Sequence, residues 1–418
     1  MWRNSDGDAL TAWTQKLSRA LEECSYDDAS GVTELLSLHW VEGEEGGVEP
    51  VEEPGRALLE SNLESPWDAI ARFHLRVRWL LSQKDAEGAF QIQAQLVQLV
   101  AREVIGKAKD ENWFLPIVYK LAADLRLLAK AADRCSDGSN AAAEGRSFLE
   151  QSAAAIMECY RSCVGDIRAG LEVTKRLAIL NLTNQLFRIY FRINKLNLLK
   201  PLIRAIENCG QLYDNFSMAD KVTYNYYLGR KAMFDANLDQ AEKALSFAFK
   251  ATLAADHAKN QRLILMYLIP VKMFLGHMPT QDLLEKHNLH QFVPVVDAVK
   301  QGNLRNLNAA LEEHQAFFIK CGIFLMLEKL KIITYRNLFK KVAGVLGTHM
   351  IDLDAFVQAL KATGGPEEED EETDEAEVAC ILSNLIYQGK IKGYISHQHK
   401  KLVISKANPF PALSIAAQ

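Results

Sequence analysis

Two histidines one residue apart, His397-x-His399, form the chain's most suggestive metal-ligand spacing, because they open the H-x-H-x7-S-x-x-D pattern of zinc isopeptidases. That pattern requires serine at 407 and aspartate at 410. The chain has Ala407 and Phe410, which excludes that hydrolase. Cys159 and Cys163 stand one helical turn apart, but no third and fourth ligands cluster nearby, so packing or solvent exposure is expected and not metal binding. The seven cysteines are odd in number, scattered and never spaced C-x-x-C. They suggest neither a disulfide framework nor a zinc ribbon and suit the reduced cytosol or nucleus. No phosphate-cradling G-x-x-x-x-G-K-[ST], no G-x-G-x-x-G and no G-x-S-x-G occurs. Carboxylate pairs fall only in charge runs, where general acid/base work lacks the burial it needs. The expectation is a non-enzymatic chain with no catalytic residue, no metal and no cofactor.

The remaining chemistry is charge. The net charge is only -5, but acids crowd two loops and bases crowd the C-terminal end. Arg336, Lys340, Lys341, Lys390, Lys392, Lys400 and Lys401 form a set that can meet RNA or DNA phosphates, since such contacts need cations and no base-specific geometry. An ordinary solvated face would use the same residues. The exposed face expected of Glu375 to Gln388 carries Glu377, Ser383, Asn384 and Gln388 but no Lys or Arg, which argues against sequence-specific reading of a major groove. A second set, Arg188, Arg192, Lys195, Lys200, Arg204, Arg230 and Lys231, fits either an acidic partner peptide or simple helix solvation. Arg192 and Lys195 also flank a helix C-terminus, where cations are favoured. The run Glu367 to Glu375 is a like-charge block that reads as a solvated loop, or as a competitor for phosphate on the basic face.

The elements that must position these residues are helical. With 49 % hydrophobic and 24 % charged residues, the 418-residue chain reads as well folded and too long for one ordinary core. Its N-terminus lacks a signal-like apolar region, and the longest apolar run, Leu263 to Val271, is broken by Pro270 well short of the roughly 20 residues of a membrane span. Residues 1–40 suggest short amphipathic helices, and residues 41–65 an acidic Gly/Glu/Pro-rich linker. From 66 to 315 the apolar spacing is helical, as in Ile92, Leu96, Leu99, Val100 and in Leu182, Leu186, Ile189, Ile193. Strand-like alternation is nearly absent there, which excludes a Rossmann or barrel reading. Three segments repeat one pattern: Lys195-Leu196-x-x-Leu199-x-x-Leu202, Asn237-Leu238-x-x-Ala241-x-x-Ala244 and Asn303-Leu304-x-x-Leu307-x-x-Ala310. This is the spacing of tetratricopeptide-like hairpins, which stack into a solenoid and need a cap.

Residues 316–406 supply the cap, followed by a tail at 407–418. The spacing predicts a central helix over Phe317–Lys331, in which Phe324→Asp would unfold both neighbours, and a first strand at Ile332-Ile333-Thr334. A helix Tyr335–Leu346 follows, with Leu338, Val342 and Val345 inward and Arg336, Asn337, Lys340 and Lys341 outward. Then come helices Leu353–Lys361 and Glu375–Gln388 and a hairpin joined at His397–Lys400. The order is that of a winged helix.

Helical repeats ending in a winged helix resemble PCI modules, and longer strings narrow the likeness. Ala316 to Val342, Gly393 to Ser405, Asn408-Pro-Phe-Pro411, Glu111-Asn-Trp-Phe-Leu-Pro116, Lys200-Pro-Leu-Ile-Arg-Ala-Ile206 and Gly229-Arg-Lys-Ala-Met-Phe-Asp235 resemble the PCI domain-containing protein 2 family, over roughly Pro66 to Pro411. The resemblance implies a mainly α scaffold: a TPR-like helical-repeat solenoid capped by a C-terminal winged helix. It further implies a subunit of the nuclear transcription and export complex 2, which couples transcription to mRNA export at the nuclear pore, with a cytoplasmic pool also allowed. The implied partners are a large PCI-containing scaffold subunit and a small acidic Sem/DSS-type protein. Paired winged helices would present the first basic set to RNA or DNA, and the second set is assigned to the acidic subunit through the resemblance alone. The competing expectation is a protein-only PCI subunit of a proteasome-lid or signalosome-like assembly.

Overall fold

The computed structural model describes residues 5–23, 29–38, 56–109, 111–135, 147–168, 170–171, 173–363 and 374–413. Much of the expected linker, and the acidic run up to residue 373, lie outside the described residues. The chain divides into two compact units, Met1–Tyr224 and Asn225–Gln418. Their boundary falls inside the Met218–Phe234 helix, in the middle of the expected repeat array and not at its junction with the winged helix.

In the first unit, consecutive helices pack as neighbours: Trp67–Ser82 on Ala86–Leu99, that helix on Leu115–Cys135, and Phe148–Val164 on Ile179–Arg192. Two of them start where a polar side chain satisfies an orphan amide. Asp85 accepts from the Gly88 N–H at 2.9 Å and Ser147 from that of Glu150 at 3.2 Å. The buried stripes follow the 3.6-residue period, with Leu96, Val97 and Val100 in one helix and Leu182, Leu186 and Ile189 in another. Ala86–Leu99 runs into a wider π-helical turn, Val100–Ile105. Lys175, a residue 6 % exposed, donates through its ammonium to the carbonyl of Ile105 in that turn and, at 3.0 Å, to that of Ala108 just beyond it. The N-terminal helices Ser5–Glu22 and Ser30–Leu35 belong to this unit: Trp13 stacks on His74, and the Leu38 amide donates to buried Asp124. Cys159 and Cys163 are buried in its core, and burial pushes the Cys163 thiol up to about 12.

In the second unit, the two later repeats fold alike. Asn237 caps Leu238–Ala254 by accepting from Gln240 N–H at 3.1 Å, and Asn303 caps Leu304–Glu313 by accepting from Asn306 N–H at 3.0 Å. Ala241, Ala244 and Leu245, and Leu307, Ala310 and Leu311, are buried at equivalent positions. A small residue is required where the Leu245 side chain packs: a Cβ on Gly229 would meet Leu245 Cγ at 2.5 Å.

The winged helix that ends this unit departs from expectation in two places. Phe317–Lys331 is not one helix. Gly322, in the left-handed region at φ 72°, ends Gln315–Cys321, and a separate short helix Phe324–Glu328 follows. Leu325 is 71 % exposed and Phe324 half-buried, so Phe324→Asp does not strike a core. Ile332-Ile333-Thr334 is not a strand but the first turn of the Lys331–Leu346 helix, where Thr334 Oγ1 donates to the Leu330 carbonyl at 3.0 Å. The strand role falls to β1 (Met350–Asp352), which pairs antiparallel with β3 (Lys401–Ile404). β3 also pairs with β2 (Gly393–Ser396), in the order β1-β3-β2.

Helices Leu353–Thr363 and Glu375–Tyr387 close over the sheet. Their core of Phe339, Ile351, Phe356, Val378, Leu382 and Leu402 also contains Leu304 from the last repeat. Because core residues are shared, the winged helix continues the last hairpin and is not free-standing.

Candidate nucleic-acid interface

The Lys331–Leu346 helix sorts its cations by what covers them. Lys340 and Lys341 are exposed, and Lys341 Nζ donates to the Gln301 carbonyl at 2.9 Å. Arg336, expected on the same outward face, is 7 % exposed. It donates to the carbonyls of Phe410 at 3.1 Å and Pro411 at 2.8 Å, and to Asn337 Oδ1 at 3.0 Å. The physical reason is the C-terminal segment, which lies over position 336 and takes the guanidinium as its anchor. Asn337 is likewise occupied, donating to the Val299 carbonyl at 2.8 Å. Val345, expected inward, is 86 % exposed.

The other predicted cations spread along the winged helix. Lys390 is half-buried, and burial first, then the Arg336 charge, holds its pKa below the ordinary lysine value. Lys392 is exposed, and its amide donates to the Pro409 carbonyl at 2.8 Å. Lys400 pairs with Glu375 at 2.7 Å, a hydrogen bond that raises its pKa, and Lys401 pairs with Asp352 at 3.3 Å. Exposed pairs of this kind are worth little in stability, but they place acid beside both wing cations.

The residues brought together are therefore Lys340, Lys341, buried Arg336 and two that sequence reasoning missed, Lys300 and His277. All five line one cleft of about 690 Å³ with Phe410 and Leu413. Lys300 had a legible signal, since it stands in the last turn of Val293–Gln301 just before the third repeat. Along Glu375–Tyr387 the exposed positions are Ala376, Glu377, Cys380, Ser383, Asn384 and Tyr387, with no cation among them.

The second predicted set divides between the units. Arg188, Arg192, Lys195, Lys200 and Arg204 are exposed residues of the first, with Lys195 paired to Glu150 at 2.7 Å. Arg230 and Lys231 belong to the second. Arg230 lies over the rings of Tyr226, Tyr227 and Tyr267, 4.4 Å from the last, and Lys231 is buried and paired with Asp235. These two cations are committed to their own unit's packing, because the Met218–Phe234 helix turns them toward aromatic and acidic neighbours. His397 and His399 are exposed in the wing turn.

Helical hairpins whose last member shares its core with a three-stranded winged helix define a PCI module, and a family model described as PCI domain matches residues 311–406. The chain is 57 % identical over 350 residues to the PCI domain-containing protein 2 homolog of Caenorhabditis elegans, covering 83 % of each. It is 48 % identical over 402 residues to PCI domain-containing protein 2 of Danio rerio, covering 96 % of this chain and 98 % of that one. The Xenopus laevis protein of the same name is 50 % identical over 352 residues, 84 % of this chain and 86 % of its own. The chain belongs to the PCI domain-containing protein 2 family.

Proposed function

We propose that this protein is a non-enzymatic scaffold subunit of the nuclear transcription and export complex 2. It pairs its winged helix with that of a large PCI-containing subunit, holds a small acidic Sem/DSS-type protein and contributes cations to an RNA- or DNA-phosphate surface at the nuclear pore. Family membership supports the complex. The observation that carries the pairing is the outer edge of β1: among the described residues it pairs only with β3, and exposed Val345, Leu346 and Met350 lead into it. An open sheet edge with apolar neighbours is a surface built to be covered. The acidic subunit finds its complement in the exposed cations Arg188, Arg192, Lys200 and Arg204. Phosphate binding is supported by Lys300, Lys340 and Lys341 lining one cleft.

The test is co-purification of the full chain with its PCI scaffold partner. Val345→Asp with Met350→Asp, both on exposed side chains, leaves the fold intact and abolishes pairing. Retained pairing would remove β1 from the interface, and a purified cellular complex without an export scaffold would reject the assignment.

A further inference from the structure

The cationic cleft is built by four segments of the second unit, one of which is the C-terminal stretch after β3. That stretch is fixed by its main chain. The Lys392 amide donates to the Pro409 carbonyl, and Arg336 donates to those of Phe410 and Pro411. Leu413, 8 % exposed, seats against Gly276, where φ is +86° and a Cβ would meet Leu413 Cβ at 2.9 Å. A segment held by its carbonyls leaves its side chains to shape the cleft. Phe410 is half-buried and lines it together with Met278. Beside Arg336, whose guanidinium lies 5.8 Å from the centre of the Phe410 ring, and His277, the lining offers ammonium groups from Lys300, Lys340 and Lys341 and an aromatic and thioether surface from Phe410 and Met278.

Cations that track phosphate beside an aromatic face are the chemistry of single-stranded nucleic acid recognition, because an unpaired base has a free π-face. A duplex keeps its bases stacked inside and offers such a cleft only phosphates. The volume of about 690 Å³ lies in the range of sites for one small ligand. We propose that this cleft receives an unpaired nucleotide of single-stranded RNA, its phosphates on Lys300, Lys340 and Lys341 and its base against Phe410 and Met278. The proposal rests on the phosphate-binding reading above and adds to it a preference for unpaired over paired RNA.

Binding of the full chain to a fluorescent single-stranded RNA and to the same strand in duplex, at matched salt, tests it. The wild type favours the single strand. Phe410→Leu, which keeps apolar volume against the core but removes the ring, weakens single-strand binding roughly tenfold and leaves duplex binding unchanged. Phe410→Tyr retains the preference. Photo-crosslinking of 5-iodouridine RNA to the wild type gives a second readout that needs no variant, with the adduct on the peptide carrying Phe410 or Met278. Equal affinity for the two forms, an unaltered preference in Phe410→Leu, or adducts elsewhere overturn the proposal. Should Lys340→Glu with Lys341→Glu leave both forms bound as before, the phosphate reading itself fails, an outcome distinct from losing only the strand preference.

Discussion

At the scale of residues, one helix turn separates opposite fates. Arg336 and Lys340 share a helix face by spacing, yet the first is buried and the second exposed, because a segment 74 positions downstream covers only the first. Local periodicity cannot register such a contact, which is why Arg336 reads as a phosphate ligand in the sequence and is a structural anchor in the fold. Lys300 was missed for a different reason, since it lies in a helix before the residues read as the winged helix although its last-turn position was a local signal. Cys159 and Cys163, which the sequence allowed either to pack or to face solvent, are buried. Arg336→Met keeps the stem's bulk but strands the Phe410 and Pro411 carbonyls. It should cost about 2–3 kcal/mol in denaturant unfolding, whereas a loss under about 0.5 kcal/mol, the range of ordinary surface changes, would show that the anchor is dispensable.

At the scale of elements, most of what rested on local rules was readable. The asparagine caps, the 3.6-residue stripes, the small-residue contacts of the repeats and the wing hairpin all emerge from spacing and turn chemistry. The misread stretch, Phe317 to Thr334, is apolar on nearly every side, so its pattern does not show where one helix stops. Gly322 was the available signal: its left-handed conformation lets its own N–H reach the Ile319 carbonyl and the Ile323 N–H reach that of Phe318, satisfying the end of Gln315–Cys321. The β-branched run Ile332-Ile333-Thr334 has strand propensity, but burial of Ile333 and Thr334 in the helix overrides it.

The junction of the last repeat with the winged helix depends on another glycine. Gly302 sits at φ +69°, and a Cβ there would lie 2.6 Å from the Leu338 nitrogen. Gly302→Ala should therefore destabilise the second unit by about 2 kcal/mol or more. A variant as stable as wild type in thermal unfolding would mean that the approach is not tight.

At the scale of the whole molecule, the division of labour was only half legible. The winged helix could be read from its element order and its continuity with the last repeat was expected, but Leu304 as the residue that carries the continuity could not be read, since it lies far in sequence from the core residues it joins. The second unit carries both an outer sheet edge, β1, that is unpaired among the described residues and a cleft lined by lysines. The most direct test of this account is the affinity of the complex with its PCI scaffold for single-stranded RNA, measured across a series of salt concentrations, for wild type and for Lys340→Glu with Lys341→Glu. Losing two phosphate contacts should weaken binding and make the slope of log affinity against log salt shallower by about 1.4, with an unchanged melting temperature. An unchanged slope at unchanged affinity would contradict the account and leave a subunit that binds only protein.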